Sequence, residues 1–533
     1  MSGYIGLTIG PIVDTVGEAR STGELWGASY IFSFIMKNII KELNKKKKYE
    51  FIIPFTEKEA FEIKKIGLFH DRFIMDIKEE KFQDAKQEVD NVIENTIDEI
   101  ANNIVCVLNN NKKDKNLEDN INGYIKKYFQ IHYAYLPKAK DNLINEMNNV
   151  LDVLELNYRS LNEVKDGENY LFRYLTNEMI KESILCRNAG LFDKCDNKLF
   201  PSILQIAMRE ITKRHNINIK SNDDLDYLAE LKRKMNEKKI EKVKKVYKYI
   251  AVVQSDGDSI GEIIKKLSMS NSEKIFTYSE FSKKLFEFAK EANSIVEKYD
   301  GFTIYAGGDD LLFLAPVSND KSNILDLVRE ISESFNCIFE EYIEELEKKP
   351  SVSFGIDISY YKDPLNEKLD NARSMLFSTA KEFEIYNIGN SVEKNAVALK
   401  LTKHSGQTFD VVFNKKSESF NIFNELVKIS VNNKDLKSIQ YKLFEEKKLL
   451  IEIINDDSKI DNYFENSIIN KYRKESTEEV EEFICKVKDL LINIKKDVGV
   501  IESEDKSKEK IMDKLYSCLK FINFLNEEGN IYD

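Results

Sequence analysis

Two acidic turns carry the side chains in this sequence that are best suited to chemistry. One is GGDD at Gly307 to Asp310, and the other is SDGD at Ser255 to Asp258. If the two turns meet, Asp256, Asp309 and Asp310 form a cluster of hard oxygen ligands, which suits two Mg²⁺ or Mn²⁺ ions with nucleotide phosphates. A GGDD turn by itself is more often only a turn, but a second acidic turn at a neighbouring strand end favours a shared site.

Apolar runs flank both turns and indicate the buried strands that must position them. Tyr249 to Gln254 (YIAVVQ) predicts a strand leading into the first turn, and residues 302–306 and 311–315 predict a hairpin around the second. Gly307 and Gly308 supply the positive φ that such a tight turn needs. The element order is the βαββαβ of a ferredoxin-like sheet with an added helix, as in the palm of polymerases and nucleotide cyclases. The other predicted helices and strands cover 259–268, 279–298, 319–347, 351–360, 364–382 and 394–402.

Transfer of a nucleotidyl group requires an activated α-phosphate, a neutralised pyrophosphate and a deprotonated acceptor hydroxyl, and two cations a few ångströms apart provide all three. We expect Asp256 and Asp309 to bridge the ions and Asp310 to bind or support one. The backbone carbonyl of Gly257 is a further candidate ligand. Ser259 to Gly261 begin a helix whose N-terminal amides can meet phosphate. Among the predicted nucleotide contacts, Lys381 and Lys394 are equally consistent with exposed surface charges. The predicted nucleotide contacts are Asp258, Ser259, Ile260, Gly261, Gly307, Gly308, Lys381, Lys394 and Asn395.

The first 180 residues indicate a second α+β unit with a small antiparallel sheet. His70 and Asp71 match the dipeptide of HD phosphohydrolases, but such a site needs more histidines than the four in this chain. We therefore expect His70 to be a strand or turn residue. The predicted strands are Tyr4 to Ile9, Glu50 to Pro54 and Leu68 to Met75. One predicted helix follows Gly10 and Pro11 and runs to about Leu43, a second covers Lys78 to about Asn110, and further helices cover residues 115–180.

The composition favours a large cytoplasmic protein of three or four domains. Of 533 residues, 42% are hydrophobic, and the net charge of −12 argues against a polyanion-binding surface over the whole chain. Basic runs at Lys45 to Lys48 and Lys232 to Lys248 fit RNA contacts or solvated helix faces equally well.

Six scattered cysteines without a CxxC pair indicate free thiols in a reducing compartment. Cys186, Cys195 and His215 fall short of the four ligands of a structural zinc site, so zinc is not expected. The sequence contains no apolar run of about 18 residues, so no membrane span is predicted.

Six spaced segments resemble the large palm-domain subunit of type III CRISPR effector complexes, in its Cmr (subtype III-B) form. They are LTIGPIVDTVGEARSTGELWGASYIFS, GLFHDRFI, LFPSILQIA, VVQSDGDSIGE, YAGGDDLLFLAP and NAVALKLTKHSG. The resemblance covers roughly residues 1–406, and after residue 404 strand signals give way to helical periodicity. It implies an α+β fold with two ferredoxin-like palm domains, a small helical middle domain equivalent to a zinc domain and a C-terminal helical bundle. The expected domains are 1–180, 181–245, 246–404 and 405–533.

The resemblance also implies a function. Relatives of this kind use ATP to make adenylate second messengers when the assembled complex captures foreign RNA. The product is a cyclic oligoadenylate or, in a subset, a conjugate of S-adenosylmethionine with AMP. The metal role carries over to Asp256, Asp309 and Asp310. The first palm lacks acidic strand ends, so we expect it to hold the acceptor nucleotide or S-adenosylmethionine through residues that match the family: Gly10, Arg20, Trp26 and Ser29.

Two departures from the family pattern affect the expected activity. The HD nuclease domain of many relatives is not seen, so signalling rather than DNase activity is expected, with a slight preference for the S-adenosylmethionine product. Only Cys186 and Cys195 remain of a four-cysteine zinc site. The expected partners are the other effector subunits, the guide RNA and the target RNA. The alternatives are a stand-alone nucleotide cyclase and a catalytically silent scaffold subunit of the complex.

Overall fold

The computed structural model of the chain places the great majority of its residues. The residues that it describes are 3–78, 80–109, 114–137, 143–157, 168–191, 200–219, 221, 223–268, 278–340, 350–387, 390–429, 431–469, 478–498 and 504–529.

The first palm is built on four antiparallel strands. They are β1 (Gly3–Gly10), β2 (Glu50–Ile53), β3 (Arg72–Asp76) and β4 (Gln130–Pro137). The strand order is β2-β3-β1-β4, which is the ferredoxin-like order that the resemblance implied. The third strand begins later than predicted, so residues 66–71 form a loop that leads into β3.

The prediction of helices throughout residues 115–180 is wrong at β4. This strand pairs with all of β1, and its side chains alternate between two apolar clusters. Tyr133 and Tyr135 pack against the large cluster of the first palm, whereas Ala134 and Leu136 pack against a small cluster on the opposite face. The two-residue alternation in QIHYAYLP was the available signal for a strand.

Six helices accompany this sheet. The single long helix predicted after β1 is interrupted, because Ser21 begins a new helix by accepting a hydrogen bond from the Glu24 amide at 3.2 Å. The helices are α1 (Ile12–Gly17), α2 (Thr22–Asn44), α3 (Lys58–Glu62), α4 (Phe82–Asn109), α5 (Lys115–Tyr128) and α6 (Leu143–Glu155).

Short helices connect the first palm to the second. The Ser202 and Gln205 side chains form a capping box that fixes the start of one of them. They are α7 (Tyr170–Leu175), a 3₁₀ turn (Ile180–Glu182), α8 (Ile184–Ala189), α9 (Ile203–Ala207), α10 (Arg209–Arg214) and α11 (Asp224–Glu237). The short strand β5 (Val243–Lys244) and a 3₁₀ turn (Lys245–Lys248) then lead into the second sheet.

The second palm contains a six-stranded sheet and a separate two-stranded hairpin. Its strands are β6 (Tyr249–Asp258), β7 (Phe302–Gly307), β8 (Asp310–Pro316), β9 (Ser351–Tyr360), β10 (Glu384–Asn387), β11 (Asn390–Glu393), β12 (Ala396–Thr402) and β13 (Thr408–Asn414). The order β13-β12-β9-β6-β8-β7 contains a ferredoxin-like set of four in β9-β6-β8-β7. The predicted GGDD hairpin and the strand at 351–360 are confirmed.

The helices of the second palm follow the predicted order. Asn323 caps the helix before β9, so that helix starts later than the predicted 319, and residues 341–347 of the same prediction lie outside the described part of the chain. The helix before β10 changes to a π-helix in its last six residues. The helices are α12 (Ile260–Ser268), α13 (Tyr278–Lys298), α14 (Ile324–Ile338), α15 (Leu365–Ser374) and the π-helix (Met375–Ala380).

The C-terminal part is helical, but it begins with a strand that the sequence analysis missed. β13 pairs with β12 over seven residue pairs, so the predicted boundary at 404/405 passes between two hydrogen-bonded strands. Helices follow at α16 (Glu418–Lys428), α17 (Asn433–Glu445), α18 (Lys447–Ile453), α19 (Asp457–Tyr463), a π-helix (Phe464–Ile469), α20 (Glu478–Val498) and α21 (Glu504–Asn526). A final strand, β14 (Glu528–Gly529), pairs with β5. Within the described residues, no helix combines the length and apolar character needed to cross a membrane.

Both faces of the second sheet are buried. On one face, Ile250 and Leu314 belong to the same apolar cluster as Ile35 of α2, so the first palm packs directly on this sheet. On the other face, Val253 and Phe313 pack in the cluster that includes α13 and α14. The first palm therefore abuts the strands that lead to both acidic turns.

Gly355 in β9 allows the helix before β10 to lie directly on the sheet. A Cβ at this position would be 2.2 Å from the Ala372 carbonyl oxygen and 2.3 Å from the Leu376 amide nitrogen. Because both are backbone atoms, we expect Gly355→Ala to destabilise the chain by about 1–3 kcal/mol, measured by chemical denaturation. The matched control is Gly123→Ala in α5, where a Cβ meets open space. Equal stability of the two variants would contradict this account of the packing.

Candidate active site

Three carboxylates converge at one end of the second sheet. Asp256 lies in β6, Asp309 lies in the hairpin turn and Asp310 begins β8, which is the neighbour of β6. A ligand oxygen from each of the three lies within 4.8 Å of the other two, and within the described residues no other group of three or more potential metal ligands meets this condition. The predicted convergence is confirmed, whereas the metal-binding and catalytic roles of the three residues remain predictions.

Gly257 allows the two acidic turns to approach each other. Its amide donates a hydrogen bond to Asp309 Oδ2 at 3.2 Å, and a Cβ here would lie 2.5 Å from the same oxygen. The role of the Gly257 carbonyl as a metal ligand remains a prediction. That oxygen accepts a hydrogen bond from Lys381 Nζ at 2.6 Å.

Lys381 binds the carboxylates rather than lying free to meet phosphate. The residue directly follows the π-helix, and its Nζ forms ion pairs with Asp256 and, at 3.0 Å, with Asp258 Oδ1. It also donates to the Asp256 carbonyl oxygen at 2.9 Å. Burial lowers the pKa of Lys381, but the charges of Asp258 and Asp256 outweigh this and raise the pKa above its ordinary value. Lys381 therefore stays charged and neutralises part of the acidic cluster.

Asp258 supports the site through hydrogen bonds to neighbouring residues. The residue is 4% exposed, and its oxygens accept from the Ser351 hydroxyl at 2.7 Å, the Ser353 hydroxyl at 2.8 Å and the Asn395 amide at 3.0 Å. Burial opposes ionisation, yet Lys381 and the serine hydroxyls lower the pKa of Asp258. The oxygens of Asp258 are thus bound within the protein, and its contact with the nucleotide remains a prediction.

The remaining predicted nucleotide contacts lie in the GGDD turn, at the start of α12 and directly before β12. Gly308 has φ +69°, as the hairpin turn requires, and Ser259 has φ +61° at the start of α12. Lys394 and Asn395 also have positive φ, and it is the backbone of Asn395 that reaches Asp258. Gly261 is exposed at the first turn of α12. Contacts of Ser259, Ile260, Gly261, Gly307, Gly308, Lys394 and Asn395 with a nucleotide remain predictions.

The carboxylates of the hairpin resist ionisation in the absence of a cation. Burial first, and then the charge of Asp256, raise the pKa of Asp309. The pKa of Asp310 is raised well above its usual range by burial and by the charges of Asp309 and Asp256. Lys381 pairs with Asp256 and Asp258, so among the described residues no lysine or arginine pairs with the two hairpin carboxylates. Hard oxygen donors with uncompensated charge fit a divalent cation.

A cavity of about 320 Å³ opens beside Asp310, between the palms. Its first-palm wall is mostly apolar and comes from α1, α2 and the loop before β3. Its charged residues are Asp71, Asp310, Asp370 and Arg373, and its other lining residues include Ile12, Val13, Val16, Ser29, Phe32, Ser33, Phe69, Gln254, Tyr305, Leu312 and Phe377. Burial raises the pKa of Asp71 above its ordinary value.

The four first-palm residues predicted for the acceptor separate in the structure. Ser29 lines the cavity, whereas Arg20 lines a different surface pocket that also contains Asp363. Trp26 is 1% exposed, its indole Nε1 donates to the Lys65 carbonyl oxygen at 3.0 Å, and its contact with the acceptor remains a prediction. Gly10 ends β1 and is not among the residues that line the cavity.

Sequence reasoning missed three charged residues of the cavity. Asp71 was noticed only as part of the HD dipeptide, and its loop could not be placed beside the other palm. Asp370 and Arg373 lie three residues apart on α15, which is the spacing of one helix face, but nothing local indicates what that face meets.

Cys186 and Cys195 are the two cysteines of the predicted zinc-domain equivalent. Cys186 is fully buried in α8, and burial raises the pKa of its thiol to about 11. Cys195 lies outside the described residues.

Two palm-like sheets, one bearing an acidic hairpin beside an acidic strand end, define a palm-domain protein of the polymerase and cyclase type. Two family models match the chain. The second palm domain of Cas10/Cmr2 matches residues 249–397, and the N-terminal domain of the CRISPR-associated protein Cmr2 matches residues 4–130. The chain belongs to the Cas10/Cmr2 family.

Individual relatives agree with this assignment. The Cmr2 subunit of the Cmr system of Pyrococcus furiosus is 29% identical over 283 residues, which cover 46% of this chain. The match spans only 29% of the length of that relative. A chain of the type III-B Cmr-beta complex in its apo state has a TM-score of 0.55 and 13% identity, covering 91% of this chain and 77% of that one. The same complex bound to cognate target RNA gives a TM-score of 0.57 and 13% identity, covering 95% and 80%. At this identity the structural matches support the fold.

Removal of one charge from the acidic cluster should stabilise the metal-free chain. Because the pKa of Asp310 is raised in the folded protein, its contribution to stability is greatest at low pH and is lost as the pH rises through the raised pKa. We expect Asp310→Asn to raise the melting temperature at pH 8 by a few degrees and to abolish the further rise that Mg²⁺ gives the natural chain.

The matched control is Asp119→Asn on the exposed face of α5. It should leave both the melting temperature and the response to Mg²⁺ unchanged. A lower melting temperature for Asp310→Asn, or an undiminished response to Mg²⁺, would show that the cluster is not a strained cation site.

Proposed function

We propose that this chain is the nucleotidyltransferase subunit of an RNA-guided type III CRISPR antiviral complex, which makes an adenylate second messenger from ATP when target RNA binds. The observation that carries the proposal is the convergence of Asp256, Asp309 and Asp310 beside a cavity that both palms line. A scaffold would not need to hold three mutually repelling carboxylates together. Membership of the Cas10/Cmr2 family supports the same conclusion.

The reaction is adenylyl transfer. An acceptor oxygen forms a bond to the α-phosphorus of ATP, the bond from that phosphorus to the bridging oxygen breaks, and pyrophosphate leaves with the bonding electron pair. The acceptor proton passes to a base or to solvent. Two Mg²⁺ or Mn²⁺ ions, when bound, supply Lewis-acid activation and neutralise the departing charge.

The residues of the chain have separate parts in this proposal. Asp256, Asp309 and Asp310 would hold the cations. Lys381 holds Asp256 in place and keeps the local charge balanced, while Asp258 fixes Lys381 from the other side. Since Lys381 Nζ already binds carboxylate and carbonyl oxygens, we assign it to positioning rather than to the triphosphate.

The lining of the cavity favours an acceptor without a triphosphate. Asp310 would hold a cation, burial raises the pKa of Asp71, and Asp370 and Arg373 carry opposite charges, so the lining offers no excess of positive charge for a polyanion, and the rest of it is largely apolar. A second ATP would bring a polyanion into this setting, whereas S-adenosylmethionine carries a sulfonium and an ammonium group. We therefore place S-adenosylmethionine ahead of ATP as acceptor, with a SAM–AMP conjugate ahead of a cyclic oligoadenylate as product.

The proposed partners are the other subunits of the effector complex, the guide RNA and the target RNA. The support is the likeness of the fold to a chain of the Cmr-beta complex, which has been observed with cognate target RNA. In this proposal target RNA acts through the assembled complex rather than through a binding surface of the isolated chain.

Loss of the hairpin carboxylates should abolish the reaction. We expect the complex assembled with Asp309→Ala/Asp310→Ala to release no pyrophosphate from labelled ATP with Mg²⁺ or Mn²⁺ and target RNA, whereas the natural complex does. The control is the same complex with Asp119→Asn. Equal release by the natural and doubly substituted complexes would favour a silent scaffold, and full activity of the isolated chain without RNA would favour a stand-alone cyclase.

The identity of the acceptor can be measured directly. We expect mass spectrometry to detect a SAM–AMP conjugate only when S-adenosylmethionine is present, and Asp370→Asn to raise the KM for S-adenosylmethionine by about two- to fivefold, as for one charge at a partly solvated site. Asp363→Asn, in the separate pocket beside Arg20, is the matched control. Cyclic oligoadenylate as the sole product, unaffected by S-adenosylmethionine, would reverse the order of the two acceptors.

A further inference from the structure

The HD dipeptide lies in a loop that joins the two palms. Residues 63–71 run along the open edge of the second sheet, where Gly67 forms a parallel bridge with Tyr305 of β7. The Gly67 carbonyl oxygen accepts a hydrogen bond from the Ala306 amide at 3.2 Å. The first palm therefore contributes backbone pairing to the strand that enters the GGDD turn.

One face of α2 holds this loop in place. Four side chains spaced at helical intervals on that face bind backbone atoms of the loop. The hydrogen bonds are Trp26 Nε1 to the Lys65 carbonyl (3.0 Å), Tyr30 Oη to the Lys64 carbonyl (2.7 Å), Lys37 Nζ to the Ile63 carbonyl (2.8 Å) and the Phe69 amide to Ser33 Oγ (2.9 Å). The loop is thus fixed at both of its ends by a rigid helix of the first palm.

His70 rests on the glycines of the turn. A Cβ at Gly308 would lie 2.5 Å from His70 Cε1 and 2.6 Å from Nε2, so the ring fills the space that a side chain would occupy. The Tyr305 hydroxyl lies 3.5 Å from His70 Nδ1, and a Cβ at Gly307 would be 1.8 Å from that same hydroxyl oxygen. The shape of the turn that carries Asp309 is therefore set by two rings, and one of them belongs to the other palm.

The same loop also forms part of the cavity. Phe69 and Asp71, on either side of His70, line the space between the palms, as does Ser33, which holds the Phe69 amide. Consecutive residues of one short loop thus contact the acceptor cavity and the metal-bearing turn. Because the loop backbone is bound along its length, we expect a change at one of these places to affect the other.

We propose that His70 is a positioning residue for the GGDD turn, through which the first palm sets the geometry of the metal site in the second. The inference rests on the proposed function, since it assigns His70 to the cation site of that reaction. It gives the HD dipeptide a part that is neither hydrolysis nor metal ligation. The ring keeps the turn in the shape that brings Asp309 to Asp256 and Asp310.

The test is Mn²⁺ binding to the full-length chain, measured by electron paramagnetic resonance, with metal-free melting to verify folding. We expect His70→Ala to weaken Mn²⁺ binding by roughly two- to thirtyfold, the range seen for coupling through packed side chains. His70→Phe, which keeps a ring on Gly308, should retain most of the affinity. Lys65→Ala, whose side chain is exposed in the same loop, is the matched control and should bind as the natural chain does.

A double-substitution cycle gives a readout that general destabilisation would not produce. Gly308→Ala should weaken Mn²⁺ binding strongly in the natural chain, because the new Cβ meets the His70 ring, and less strongly in His70→Ala, where the ring is absent. Additive effects would overturn the inference. If His70→Ala does not fold, His70→Asn takes its place in the cycle, since it also withdraws the ring from Gly308.

Asp309→Asn separates this inference from the proposed function. Loss of Mn²⁺ binding in Asp309→Asn together with unchanged binding in His70→Ala would overturn the role of His70 and leave the metal site standing. Unchanged Mn²⁺ binding in Asp309→Asn would instead overturn the metal site itself, and with it the basis for positioning by His70.

Discussion

Repulsion among carboxylates is the constraint on which the rest of this structure depends. Asp256, Asp309 and Asp310 bring their oxygens within 4.8 Å of one another, and a folded chain must oppose that repulsion with rigid support. The support is hydrogen-bonded sheet on both sides of the turn, with apolar clusters on both faces. Flexible loops at the same positions would let the three side chains move apart into solvent.

A second polar cluster, whose hydrogen-bonding groups have partners, lies next to the three carboxylates. Asp258 joins β6 to Ser351 and Ser353 of β9, to the backbone at Asn395 and to Lys381 after the π-helix. Its low pKa and the high pKa of the hairpin carboxylates come from opposite surroundings, since donors and a lysine surround Asp258 while other acids surround the hairpin. Asp258 is therefore held as an anion, whereas the raised pKa values of Asp309 and Asp310 oppose their ionisation.

The two palms share an architecture but not a chemistry. The first has the same strand order as the second, yet it offers apolar side chains, a hydroxyl-bearing helix and a loop rather than an acidic turn. Its contribution to the site is a wall for the cavity and the His70 ring on Gly308.

The sequence by itself determined the parts of this protein whose chemistry is local. The GGDD hairpin, the strand before SDGD and the βαββαβ order were predicted because short apolar runs and turn glycines act over a few positions. Tertiary structure decided the rest. β4 and β13 form because they pair with β1 and β12, and Lys381 binds Asp256 because a π-helix ends beside β6. His70 meets Gly308 across a distance of more than two hundred residues, and no local pattern encodes which surfaces a fold brings together.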